Sequence, residues 1–238
     1  MKTLLYTISI TLLVLSAQSC SFNSVRGNGN ITENEVNISD YKEIEFSGGS
    51  SIVYEQKPDA APYLRIETDE NIFPLLIVES NDGILSIRNK ENVSPTKYNI
   101  YTNSTALARV SASGSIKLHI KGKLETTDLV LSVSGSANIL GDSIVAQSVT
   151  TKVSGSGDIT MTGKANRIES SISGSGKTNT MDMQADTVTC SVSGSGNFSV
   201  YAEKLLTVRV SGSGNVQYKG NAQVDQAISG SGKVVKVQ

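Results

Sequence analysis

SASGS (residues 111–115), SVSGSAN (132–138), KVSGSGD (152–158), SISGSGK (171–177), SVSGSGN (191–197), RVSGSGN (209–215) and AISGSGK (227–233) are one phrase repeated along the second half of the chain. Marking each by its first glycine gives Gly114, Gly135, Gly155, Gly174, Gly194, Gly212 and Gly230, at steps of 18 to 21 residues. A period in that range is the signature of stacked structural units, each burying its apolar face against its neighbours.

The residues around the marker say what each unit is made of, because side chains alternate faces along a strand. Two positions before the glycine stand Ala112, Val133, Val153, Ile172, Val192, Val210 and Ile228, all apolar. Six before it stand Ala108, Leu129, Val149, Ile168, Val188, Leu206 and Val224. Four before it the row loosens to Val110, Leu131, Thr151, Ser170, Cys190, Val208 and Gln226. These rows share one face, which the pattern places in a core, while the serine beside every marker faces outward. Four positions after the marker a second apolar row runs through Leu118, Ile139, Ile159, Thr178, Phe198, Val216 and Val234, so a second strand leaves each Ser-Gly corner. Glycine suits such a corner because it reaches positive φ without a Cβ penalty. A helix would need apolar residues three and four apart, and the β-branched, Ser- and Gly-rich composition opposes it. The expected fold is all-β, a parallel β-helix or solenoid with coils of 18 to 21 residues.

The chain opens with Lys2, an apolar run from Leu4 to Leu15, and Ser16-Ala17-Gln18-Ser19-Cys20. Residues 1–19 read as a signal peptide, too short in its apolar part to anchor a bilayer span. The small residues before Cys20 resemble the lipobox of bacterial lipoproteins, which makes Cys20 the acylated first residue of the mature protein. Residues 20–40, polar and rich in Asn and Gly, read as a flexible tether to the membrane. Residues 41–238 are the β-helix body, with an irregular head over 41–105 and regular coils over 106–238. In the head, Ile44, Phe46, Gly48, Ile52 and Tyr54 repeat the offsets of the later coils, YLRIET, GILSIRN and KYNIY read as strands, and DENIFPLLI holds a short turn limited by Pro74. Terminal units of a solenoid are atypical because they cap an open core. A separate small β domain is the alternative for the head.

The lipoprotein start, the YKEIEFSGGSSIVYEQ opening, the DGILSIRN strand and the serial VSGSG corners resemble the putative auto-transporter adhesin, head GIN domain family of Bacteroidetes. The resemblance covers most of the chain from Tyr41 on. It implies a right-handed β-helix and a role in adhesion. No autotransporter pore is expected, since the residues after Gly232 hold no barrel strands. The first acid after Cys20 is Glu33, whereas surface-exported lipoproteins of that phylum resemble one another in placing acids directly after the cysteine; an outer-membrane lipoprotein facing the periplasm is the expectation.

Chemistry is sparse. Net charge is −1 over 238 residues with no basic block, so nucleic acid is not an expected ligand. Right-handed β-helices include polysaccharide lyases and hydrolases that mount carboxylates and cations on an outward strand face. Here the outward acids Glu169 and Asp225 fall in coils separated by two others, about 14 Å apart at about 4.8 Å per coil, too far to serve one bond. Lys152 and Glu169 read as an exposed ion pair between neighbouring coils. His119 is the only histidine, which rules out a multi-histidine metal site within one chain, and it is expected to face solvent beside the Leu118 row. Asp158 follows Gly155-Ser156-Gly157 as in calcium-binding rolls, but the other coils carry Asn or Lys there. Cys190, on an inward row, is a small hydrophobe with no disulfide partner once Cys20 carries lipid. Asp142-Ser143-Ile144 and Asp186-Thr187-Val188 resemble the acceptor motif for O-glycosylation in Bacteroidetes, which makes Ser143 and Thr187 candidate acceptors.

The expectation is a non-enzymatic envelope lipoprotein, with no catalytic residues, metal or cofactor, that binds the membrane through its lipid and a glycan or protein through its side walls. A polysaccharide-active enzyme and a purely structural spacer are the alternatives.

Overall fold

A computed structural model of the protein describes residues 24–237, so the stretch read as a signal peptide and Cys20 lie outside the described residues. The fold is all-β; the only helical turn among the described residues is a 3₁₀ turn at Phe73–Leu75, where Pro74 supplies the fixed φ such a turn uses.

In chain order the strands are β1 (Val25–Arg26), β2 (Ile31–Val36), β3 (Glu43–Gln56), β4 (Tyr63–Asp69), β5 (Leu76–Asn81), β6 (Ile84–Asn89), β7 (Val93–Ser94), β8 (Tyr98–Ser104), β9 (Arg109–Gly212), β10 (Asn215–Lys219), β11 (Gln223–Gly230) and β12 (Lys233–Lys236). β9 stays extended for 104 residues, far beyond the usual limit of about 10 residues for one strand, so it must bend back along itself. It bends at the glycines. Each marker glycine from Gly114 to Gly230 has φ between 116° and 127°. A Cβ built on Gly135 would strike the carbonyl oxygen of Gly114, and the same holds from Gly155 on Gly135 to Gly230 on Gly212. The glycines therefore form a column in which each corner sits on the last at a distance that excludes any side chain.

The ladders on either side of the corners are parallel and offset by one unit of the sequence repeat. β10 pairs with β9 as Asn215↔Asn197 through Lys219↔Tyr201, and β11 pairs with β9 as Gln223↔Leu205 through Gly230↔Gly212. β3 joins the same array: Glu43↔Arg109 through Glu55↔Lys121, with Gly48, φ 133°, opposite Gly114. FSGGSSIVY is thus a corner of the same geometry, and Ile44, Phe46, Ile52 and Tyr54 are buried as its offsets require.

The inward rows are the core. Val133, Val153, Ile172, Val192 and Val210 are 2–5% exposed, and Leu118, Ile139, Ile159, Phe198 and Val216 are fully buried. Burying a side chain of this size contributes about 1.5–3 kcal/mol. The loosened row is still interior: Thr151 and Ser170 are buried and satisfy one another, Oγ to Oγ at 2.6 Å, as a polar pair inside a core must. Expected inward positions shift at both ends of the repeat region. Leu107, not Ala108, fills the core ahead of the first repeat, because the chain enters that repeat from β8 rather than from a preceding one. At the other end Gln226 is exposed and Val224 half-buried, since no further unit covers them among the described residues.

The segment read as a tether is structured from residue 24. β1 runs parallel to β7, and β2 runs antiparallel to β4, which in turn pairs with β8. Asp69 holds this arrangement. Fully buried, it accepts hydrogen bonds from Gly29 N (2.7 Å), Thr96 N (2.8 Å) and Thr96 Oγ1 (2.7 Å). Polar composition therefore misleads here: ITENEV alternates, turning Thr32, Asn34 and Val36 to the half-buried face of an edge strand, and an Asp 40 residues downstream binds its entry loop.

Candidate functional site

Each corner has two outward sides. Before the glycine, the positions one and three residues upstream present Ser111 and Ser113, Ser132 and Ser134, Ser171 and Ser173, and Ser191 and Ser193, with Lys152, Arg209 and Ala227 replacing the upstream serine in the other three units. Because serine is small, the backbone between these columns is recessed. A groove of about 580 Å³ runs from Glu45 and Arg88 in the head to Ser173, and a second of about 450 Å³ shares Ser171 and Ser173 with it and continues to Ala227. Its rim is hydroxyl and its floor is apolar, formed in part by Phe46, Ala112, Val133 and Val153.

Two of the four charged residues lining this wall are engaged. Arg88 binds Glu79 at 3.2 Å and Arg209 binds Asp225 at 2.6 Å. The hydrogen bond from Arg209 holds the Asp225 carboxyl below its ordinary range. The expected Lys152–Glu169 pair is not formed: Glu169 takes Arg167, at 3.3 Å. Arg167 lies two residues back on the same strand and face, whereas Lys152 lies a strand away and two positions further along, a diagonal its side chain does not close. Lys152 is exposed and has no ion pair among the described residues.

The remaining sequence candidates are dispersed. His119 is half-buried and paired rather than free: its Nε2 lies 2.8 Å from Asp142 Oδ1, the imidazole donating to the carboxylate. Asp142 also accepts from Gly122 N at 2.9 Å, and that bond, with the His119 contact, lowers its pKa. The aspartate of the Asp142-Ser143-Ile144 motif is thus held, with Ser143 half-buried beside it. Thr187 is also half-buried; Asp186 ahead of it binds Lys204 at 2.8 Å. Cys190 is fully buried, and burial pushes its thiol pKa up, away from a reactive thiolate. Among the described residues no group of His, Cys, Asp and Glu is placed to hold a metal, and no helix is long and apolar enough to cross a membrane.

The side after the glycine escaped the sequence reading. There a cleft of about 560 Å³ lies between the Pro95–Asn99 segment and the first two repeats, with Ser50, Tyr98 and Lys117 in its lining. The only sequence signal was the column of Asn, Asp and Lys three residues past each marker, which reads equally well as corner chemistry.

Residues 40–222 match the family described as "Putative auto-transporter adhesin, head GIN domain". Among solved structures, one named as a putative lipid binding protein from Parabacteroides distasonis is 30% identical with a TM-score of 0.73, over 91% of this chain and 100% of that one. A putative adhesin from the same organism is 30% identical with a TM-score of 0.74, over 90% and 100%. A putative adhesin from Bacteroides fragilis, 22% identical over 90% and 100%, has a TM-score of 0.82 and shares the fold. No curated protein matches the chain.

Proposed function

We propose, from the premise that the chain belongs to the putative auto-transporter adhesin, head GIN domain family, that it is a non-enzymatic binding protein of the cell envelope, lipid-anchored through Cys20 and facing the periplasm. In this reading its repeats wind as a right-handed parallel β-helix, and the serine wall beside the corners receives a glycan or protein partner. Parallel ladders offset by one repeat support the winding, and strand-to-strand connections within one parallel sheet are right-handed in about 98% of cases.

The observation that carries the binding role is the groove itself. Its two stretches meet at Ser171 and Ser173, pass successive repeats, offer hydroxyls that both donate and accept, and have an apolar floor. Glu45 is the one carboxylate in its lining, and the outward acids Glu169 and Asp225 are tied to Arg167 and Arg209, an arrangement that favours binding over acid–base turnover. The apolar floor supports a second occupant, an acyl chain, the chemistry in the name of the Parabacteroides distasonis relative. Glycans attached at Ser143 and Thr187 would decorate a different part of each coil and leave the groove open.

Glycan arrays, lipid vesicles and a reducing-sugar assay on the purified protein test this, with Ser132→Trp and Ser171→Trp as groove-filling variants. Binding without sugar release, lost in both variants at unchanged melting temperature, is the expected result. Sugar release would overturn the non-enzymatic role, and binding indifferent to both variants would remove the groove as the site.

A further inference from the structure

β12 and β2 stand at the two ends of the ten-stranded sheet. Among the described residues each pairs on one side only, β12 with β10 and β2 with β4, so each presents a row of unpaired N–H and C=O groups. The core is also incomplete at the β12 end. Val224, Ile228 and Val234 are half-buried there, whereas their counterparts one repeat earlier, Leu206, Val210 and Val216, are 0–4% exposed. Of the strands with a free edge, β2 and β12 alone expose a large hydrophobic side chain among the described residues: Ile31 at 40% and Val235 at 48%.

The two edges match in charge and in height. β12 carries Lys233 and Lys236, and β2 carries Glu33 and Glu35, all four exposed. Register partners lead from Lys233 into β9, along the position three residues past each marker glycine, and out through Ser51, Asn99 and Glu67 to Glu33. Lys233 and Glu33 therefore end one row across the sheet. The neighbouring row begins at Val235 and ends at Glu35. β2 is antiparallel to β4 and β4 to β8, while the ladders from β8 to β12 along the sheet are parallel, so β2 and β12 run in the same direction. Lys233, Lys236 and Glu35 have no ion pair among the described residues, and Glu33, which takes Arg65 at 3.0 Å through one oxygen, keeps the other open to solvent with a side chain 59% exposed.

We infer that the β12 edge is a docking surface for the β2 edge of a second copy of this chain, so that molecules join head to tail. A copy advanced along the stack without being flipped lays its β2 parallel to β12, with Lys233 opposite Glu33 and Val235 beside the stem of Glu35, at the spacing of about 4.8 Å between strands of one sheet. The pairing continues the ladder and covers Val234. Like edges do not meet: β12 against β12 sets lysines together, and β2 against β2 sets carboxylates together, each destabilising. A head-to-tail contact uses different surfaces on the two molecules and leaves a free end at every step, so an in-line joint builds open rows rather than closed pairs. None of this depends on what the serine wall binds.

Sedimentation velocity of the purified protein, carrying Cys20→Ser so that no acyl chain contributes, tests this. A joint of one short strand pair is weak, so the mass is followed from about 5 μM to about 500 μM. The weight-average mass should rise at least about twofold over that range, continue past the dimer, and fall back as salt is raised from about 0.05 M to about 0.5 M. Lys233→Glu and Glu33→Lys should each remain monomeric alone. An equimolar mixture of the two should associate again, because every tail then meets a head of opposite charge, and that recovery shows both variants folded. Lys236→Pro should also remain monomeric: Val237 N donates to Tyr218 O, so the N–H one residue earlier points away from β10 and is the one the proline removes. Lys177→Glu, on the same row inside the sheet, should associate like the unaltered protein. The inference is overturned if the protein is monomeric throughout, if association stops at the dimer, if either charge reversal or Lys236→Pro associates alone, if the mixture does not associate, or if Lys177→Glu prevents association.

Discussion

Val192→Asp, set against Ser191→Asp, tests the register on which everything else depends. Val192 is 4% exposed, and its methyl groups stand 3.2–3.3 Å from where a Cβ on Gly196 or Gly214 would be, so it is enclosed by its own repeat and the next. Exchange for Asp loses about 2 kcal/mol of apolar burial. It also places a carboxyl where no cation or donor awaits it, adding at least about 1–3 kcal/mol even when the group is protonated. The sum is about 3–5 kcal/mol. Ser191 lies one residue earlier on the half-exposed wall, where a carboxylate stays hydrated and the cost is about 0.5 kcal/mol or less. Equilibrium urea denaturation, followed by circular dichroism, measures both. Comparable losses, or a larger loss for Ser191→Asp, would refute the reasoning, because a shift of one residue exchanges the two faces.

Gly194→Val should cost about 3 kcal/mol or more and lower the melting temperature by several degrees: φ is 121°, and a Cβ would come well within 3.0 Å of the Gly174 carbonyl. An unchanged melting curve would refute the corner. Cys20→Ser should move the protein from the membrane to the soluble fraction on ultracentrifugation, because acylation is the anchor proposed for it; retention on membranes would refute lipidation. Burial raises the Asp69 pKa, but hydrogen bonds from Thr96 and Gly29 outweigh it and leave the group below its ordinary value. A carboxyl depressed in the folded state stabilises above its unfolded pKa and loses that contribution as pH falls through the folded value. Stability should therefore decline below about pH 4, and Asp69→Asn should be less stable at pH 7 with a shallower acid limb in urea titrations from pH 7 to 2. An identical acid limb in the variant would refute the role of Asp69.

Much of the repeat region was legible because its rules are local and repeated. One glycine per unit needs positive φ and the absence of a Cβ, and alternation about it assigns faces, so Val192 and Ser191 could be placed without coordinates. Gly48, in a divergent unit, was legible for the same reason. What failed depended on partners distant in sequence. ITENEV gives no sign that β4 waits to pair with it, and Asp69 shows no sign that it accepts from Gly29 and Thr96. Glu169 has cations available both along its strand and across the ladder, and side-chain reach decides between them.

The sequence by itself determined the all-β class, the unit length, the corner glycines and the inward rows, because strand alternation and glycine sterics act within a few residues. Only the tertiary structure decided that residues 25–36 are strands and that His119 is tied to Asp142. It also decided that the Tyr98 and Ser50 hydroxyls are buried without a partner in the protein. Those facts follow from which side chains the stacking brings within hydrogen-bond reach, across 22 or more residues of intervening chain, and no local periodicity records that distance.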